Sequence, residues 1–213
     1  MNMLKSNKYG VEVGGTYASF FSSIPDCVSM TQVHDGSYAH ASIGLHAALK
    51  QTRRLFVRAH AKSRKVIFIG NGGSGAIASH MAIDYSKNGR IRAIALNDHP
   101  SLTCLANDFG YDQVFAKQLE FYAQKGDVVT VISTSGRSKN ILEAAAAAKN
   151  FGCELVTFSG MQPDNNLRTS GCINFYVPCN DYGAVEITHL ILLHSMVGAD
   201  EYDQSVLTES DVA

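Results

Sequence analysis

The chain has 213 residues, 46% of them hydrophobic and 17% charged, a globular composition long enough for one well-buried domain. Its 18 basic and 19 acidic side chains leave a net charge of -1, which offers no electrostatic footprint for nucleic acid or for an anionic membrane. No apolar run approaches the roughly 18 residues needed to cross a bilayer, and residues 1–15 lack the continuous apolar stretch of a signal peptide.

In chain order, residues 1–35 carry little periodicity and are expected to form an N-terminal segment. From Gly36 to Lys62 the pattern turns helical, with Ile43, Leu45, Ala48, Leu49, Leu55, Phe56 and Val57 along it. That helix has more apolar surface than a peripheral helix needs, so it is expected to pack against a partner subunit. Short apolar strands then alternate with helices. The expected strands are Lys65–Gly70, Arg92–Leu96, Asp127–Ser133, Glu154–Phe158 and Ile173–Val177. The expected helices are Ser74–Lys87, a stretch around Leu102, Asp112–Ala123, Ser138–Asn150 and Ala184–Val197. The pattern predicts an α/β fold: a five-stranded parallel sheet with helices on both faces, flavodoxin-like or Rossmann-like, preceded by a helical extension. One domain is expected over residues 36–199, followed by an acidic tail over 200–213 that carries Asp200, Glu201, Asp203, Glu209 and Asp211. The five cysteines, Cys27, Cys104, Cys153, Cys172 and Cys179, form no C-x-x-C pair and are odd in number, which suits a reduced, cytoplasmic chain.

Ligands of such sheets bind at the carboxyl ends of the strands, so the turns after the first and third strands draw the chemistry. The first, Gly70-Asn71-Gly72-Gly73-Ser74-Gly75, fits G-x-G-x-x-G. A dinucleotide site would need an acid after the next strand, and Asp98 is a candidate. A tight glycine turn without a ligand is the other reading. Against the dinucleotide stand the long helical N-terminus and a second, hydroxyl-rich turn. That turn, Ser133-Thr134-Ser135-Gly136-Arg137-Ser138, brings four hydroxyls and free backbone N–H groups to a helix N-terminus, the arrangement that holds a phosphate monoester with few cations. Ser138 could serve only as an N-cap, but one cap explains one hydroxyl.

His80 and Asp84 lie four apart on the helix after the glycine turn and share a face. Glu186 and His194, eight apart on the last helix, sit about 80° around it from each other. Two imidazoles and two carboxylates make a tetrahedral zinc set, although His189 can equally face the site.

The glycine turn and the serine turn together resemble the signature of SIS (sugar isomerase) domains. Leu105–Asp112 resembles the phosphoheptose isomerase subgroup in particular, as does the motif order from Val66 to His194. The resemblance implies a single SIS domain that interconverts a ketose and an aldose phosphate, most specifically sedoheptulose 7-phosphate and D-glycero-D-manno-heptose 7-phosphate, through an enediol. It implies that Ser133, Thr134, Ser135 and Ser138 hold the phosphate. Asn71, Gly72, Gly73 and Ser74 then line the sugar site, with Asp98 nearby. It further implies a zinc ion on His80, Asp84, Glu186 and His194, acid–base roles for Asp84 and His194, and a homotetramer with active sites between subunits. Two positions depart from the family: Asp84 stands where it has Glu, and Glu186 where it has Gln. The alternative is a non-catalytic SIS protein that binds a phosphosugar or regulates replication through DnaA.

Overall fold

Every residue of Val66–Gly70, Val128–Ser133 and Ile173–Val177 is buried, which is why these apolar segments form strands covered on both faces. The computed structural model describes residues 17–36 and 42–198. Within them the elements run α1 (Tyr17–Ser29), β1 (Gln32–Asp35), β2 (Ser42–Ile43), α2 (Leu45–Ala61), β3 (Val66–Gly70), α3 (Gly72–Lys87) and β4 (Ala93–Ala95). They continue as α4 (His99–Phe109), α5 (Val114–Tyr122), β5 (Val128–Ser133), α6 (Lys139–Asn150), β6 (Glu154–Gly160), β7 (Ile173–Val177) and α7 (Tyr182–Ser195). The acidic tail expected over 200–213 lies outside the described residues.

The five expected strands are present as β3 to β7 and are parallel, but the sheet is mixed and has seven strands, in the order β2-β1-β7-β6-β5-β3-β4. The added pair comes from sequence without a strand signal. β1 runs antiparallel to β7, with Val33 opposite Phe175, and β2 runs antiparallel to β1. The helix expected from Gly36 begins only at Leu45, because Ser42–Ile43 is drawn into the sheet.

Alternate residues of each strand enter separate cores. Val66, Phe68, Val128, Ile132, Phe158 and Phe175 face α2, α3 and α7, whereas Ile67, Ile69, Val129 and Val131 face α4, α5 and α6. In the first core Phe56 of α2 sets its ring edge-on to Phe68 and to Tyr85 of α3. Tyr85 is fully buried, and its hydroxyl donates to the Leu193 carbonyl at 2.9 Å. That bond ties α3 to α7 one residue after Asp84 and one before His194. A small third cluster, with Cys27 of α1 against Val177, Ala184 and Val185, seats α1 on α7.

From β3 the chain crosses to β4 on one side and to β5 on the other, so the topological switch lies between β3 and β5. Gly70 pairs with Ile132 there, which sets the glycine turn and the serine turn side by side at the carboxyl ends of the two strands.

Candidate active site

The serine turn is held by backbone bonds and by two of its own hydroxyls: Gly136 N donates to Ser133 Oγ at 3.2 Å and Arg137 N to Ser135 Oγ at 3.4 Å. Gly136 takes φ 61°, and a side chain there would run into Asn165, which the fold buries beside it. The Thr134 carbonyl accepts from Gly160 N at 3.0 Å, and the Gly136 carbonyl from Leu167 N at 3.3 Å. Ser133 and Thr134 are buried, whereas Ser135 and Ser138 are partly open. Ser138 occupies the N-cap position of α6, yet its side chain makes no capping bond; its carbonyl takes the Ile141 and Leu142 N–H groups instead. A capping role therefore does not account for this hydroxyl.

Across the switch point Asn71 is pinned by side chains that the sequence did not single out. Its amide and that of Asn140 exchange hydrogen bonds at 2.8 and 2.9 Å, and the Tyr111 hydroxyl donates to Asn71 Oδ1 at 3.1 Å. The next residue, Asp112, pairs with Lys139 at the start of α6 (2.6 Å), so the short 3-10 turn Tyr111–Gln113 is fastened to both loops. Gly72 and Gly73 are exposed and Ser74 is buried at the N-terminus of α3. Asp98 is engaged elsewhere. It caps α4, accepting from Ser101 N at 3.1 Å and Ser101 Oγ at 2.8 Å, and those bonds hold its carboxyl below the usual range. The acid that a ribose would need is therefore committed to a helix cap.

Of the four expected metal ligands, three converge. One donor atom each from His80, Asp84 and His194 lies within 4.8 Å of the others. His80 Nε2 faces His194 Nε2 at 3.2 Å, and Asp84 Oδ2 lies 3.2 Å from His194 Nδ1. Glu186 is not in this group. Its carboxylate lies against Gly73, where a Cβ would meet Glu186 Cδ at 2.7 Å, and burial raises its pKa. The physical reason is the helix rise: eight residues at about 1.5 Å each carry Glu186 about 12 Å up α7 from His194. His189, left open as a site residue, points the other way. It is fully buried, its Nε2 meets the Ser159 carbonyl at 3.1 Å, and burial lowers its pKa to about 4.

Within one chain the four ligands that the resemblance implies are thus divided. Glu186 joins the glycine turn. His80 and Asp84 lie six and ten residues beyond Ser74, about 9 and 15 Å down α3. One chain therefore carries two clusters: a loop cluster at the switch point and a histidine cluster between α3 and α7.

Both turns lie within the stretch that a known family model matches. The SIS domain family model matches residues 38–160. A phosphoheptose isomerase of Helicobacter pylori is 34% identical over 157 residues, covering 71% of this chain and 81% of the relative. One of Aliarcobacter butzleri is 34% identical over 170 residues, covering 76% and 89%. The chain belongs to the phosphoheptose isomerase family of SIS-domain proteins. The structure of the Neisseria gonorrhoeae phosphoheptose isomerase matches with a TM-score of 0.71 at 26% identity, covering 88% of this chain and 95% of that one.

The histidine cluster fits the divalent ion that the family resemblance implies. Two nitrogens each about 2.0–2.1 Å from a tetrahedral ion stand about 3.3 Å apart, and the two Nε2 atoms are 3.2 Å apart. Among the described residues no helix is long and apolar enough to cross a membrane.

Proposed function

We propose that this sugar-phosphate isomerase interconverts sedoheptulose 7-phosphate and D-glycero-D-manno-heptose 7-phosphate. The observation that carries the reading is the serine turn: four hydroxyls gathered at a helix N-terminus, that of Ser138 without a capping bond, beside a glycine turn at the switch point. The phosphate rests on Ser133, Thr134, Ser135 and Ser138 and on the N–H groups that open α6. The sugar lies over Gly72 and Gly73, with the Asn71 amide set by Tyr111 and Asn140 to meet its hydroxyls. Glu186, beside Gly73, is an acceptor on the same side.

Isomerisation moves a proton between neighbouring carbons through an enediol, which needs a base and a positive centre for the developing oxyanion. His194 and its partner Asp84 supply the proton relay. A divalent ion, zinc by the family resemblance, would be held at His80, Asp84 and His194 and would polarise substrate oxygens.

The second copy enters because the two clusters are separate within one chain. The histidine cluster is exposed, and Ile83, Ile187 and Ile191 on the same two helices are 61%, 39% and 38% exposed. Assembly that buries these isoleucines brings the histidine cluster of one subunit to the loop cluster of another, in the homotetramer that the resemblance implies. The test is a coupled assay on a panel of ketose phosphates, with Ser135→Ala and Ser138→Ala alongside. The variants should raise KM by more than tenfold for the phosphorylated ketose; an unchanged KM removes the phosphate assignment. A monomer at micromolar concentration by light scattering removes the shared site.

A further inference from the structure

Two cations flank the serine turn, and each is already taken by an acid. Arg137 lies between Ser135 and Ser138, and its guanidinium pairs with Asp164 of the loop after β6. Lys139, the residue after Ser138, pairs with Asp112 at 2.6 Å, and Asp112 holds the ammonium above its usual pKa. Both acids belong to segments that border the turn. Asp164 precedes Asn165, which lies against Gly136, and Asp112 follows Tyr111, which donates to Asn71. Both pairs are open to water, with side chains 52% and 76% exposed in the first and 69% and 45% in the second. Exposed pairs of this kind contribute little, so a stronger anion can displace the carboxylate. A phosphate monoester is such an anion. At neutral pH it carries about two charges and three acceptor oxygens, and a guanidinium meets it with two parallel N–H bonds.

We propose that Arg137 and Lys139 are phosphate-binding residues held in reserve, and that Asp164 and Asp112 are the competing anions that set how tightly the phosphorylated end of the substrate is held. This rests on the serine turn being the phosphate site, as read above. In the empty protein each cation stays with its acid. When a phosphate settles on the hydroxyls and on the N–H groups that open α6, both cations exchange carboxylate for phosphate. Each is one residue from Ser138, so its long apolar stem reaches back over the same anion. The exchange leaves each acid without its cation, and that loss opposes binding. A free sugar brings nothing to displace the acids, so the two pairs add discrimination in favour of the phosphorylated substrate.

The test titrates inorganic phosphate into the intact protein at constant ionic strength and follows the phosphorus resonance. Asp112→Asn and Asp164→Asn keep the size of each side chain and drop its charge. Each should tighten phosphate about twofold to fivefold, the fold-change that an exposed pair is worth. Lys139→Gln and Arg137→Gln should each weaken it about tenfold, the lower end for a hydrogen bond to a charged group. The double variants Lys139→Gln/Asp112→Asn and Arg137→Gln/Asp164→Asn decide the mechanism. With the cation gone, removing the acid should change phosphate affinity by less than about twofold. Tightening that persists undiminished in the double variants means that the acids act on phosphate by repulsion alone, and it overturns the inference. Acid variants that bind phosphate no better than wild type overturn it as well. In the isomerase assay KM for the ketose phosphate should move in the same directions while kcat stays within about twofold. If wild type binds no phosphate, the phosphate site is misassigned and this inference falls with it. If phosphate binds as expected but no ketose phosphate is turned over, the reading as an isomerase fails while the inference stands.

Discussion

Lowering the pH should weaken this fold through one buried ring. His189 is fully buried, and its folded pKa is pushed from 6.5 to about 4, chiefly by burial, with the Ser159 carbonyl opposing. Nδ1 has no hydrogen-bond partner among the described residues, so Nε2 carries the proton given to Ser159 and the ring is neutral. Because the folded pKa lies below the unfolded one, the stabilisation is complete above about pH 6.5 and declines as the pH falls toward 4. At pH 5 the unfolded ring is almost wholly protonated, while about nine in ten buried rings are still neutral. Linkage then gives a loss of about 2 kcal/mol between pH 7.5 and pH 5 from this residue alone. Carboxylates titrate over part of that range, so the measurement must be differential. His189→Gln keeps a donor toward Ser159 but has no proton to gain. Urea unfolding at fixed protein concentration should show wild type losing about 2 kcal/mol more than His189→Gln over that interval. Parallel pH profiles would refute the argument and mean that the ring finds a partner for its second proton.

Other substitutions test separate parts. Asp127 is fully buried and accepts from Lys65 N (3.0 Å), Lys65 Nζ (2.6 Å) and Gln124 N (2.8 Å), so Asp127→Ala should cost about 3 kcal/mol in urea unfolding; a cost under about 1 kcal/mol would mean that the freed groups reach water. Burial raises the Glu186 pKa, so ionised Glu186 detracts from stability at neutral pH. Glu186→Gln should therefore raise Tm at pH 7, and the gain should fade as the pH falls toward the ordinary carboxylate range. Tyr111→Phe removes the hydroxyl on Asn71 from an exposed ring; KM for the sugar phosphate should rise severalfold while stability changes by no more than about 0.5 kcal/mol.

The parallel sheet was legible because a strand buried on both faces must be apolar throughout, as Val66–Gly70 and Val128–Ser133 are. β1 was not, because Gln32–Asp35 buries only Val33 and draws its stability from pairing with β7, which no local pattern announces. α1 was hidden by Pro25 within it. At the candidate site the two turns were legible as turns, since glycines and hydroxyls punctuate the chain there. The division into two clusters was legible only in part. Eight residues set both the angle between Glu186 and His194 around α7 and about 12 Å of rise along it, but which loop each end of the helix meets depends on contacts that no local pattern announces. Tyr111 and Asn140 were missed because their role depends on two loops meeting across the sheet.

The antiparallel strand β1 also bears on how little of this chain can stand alone. The family match spans residues 38–160, yet β7 lies beyond it and β1 before it. A chain trimmed to residue 38 at its start would leave Ile173–Val177, apolar and otherwise wholly buried, with one row of N–H and C=O groups unpaired. Such an open margin recruits strands from other molecules. The four residues of β1 thus act as a guard against self-association, and their loss would appear first as insoluble protein rather than as a weakened active site.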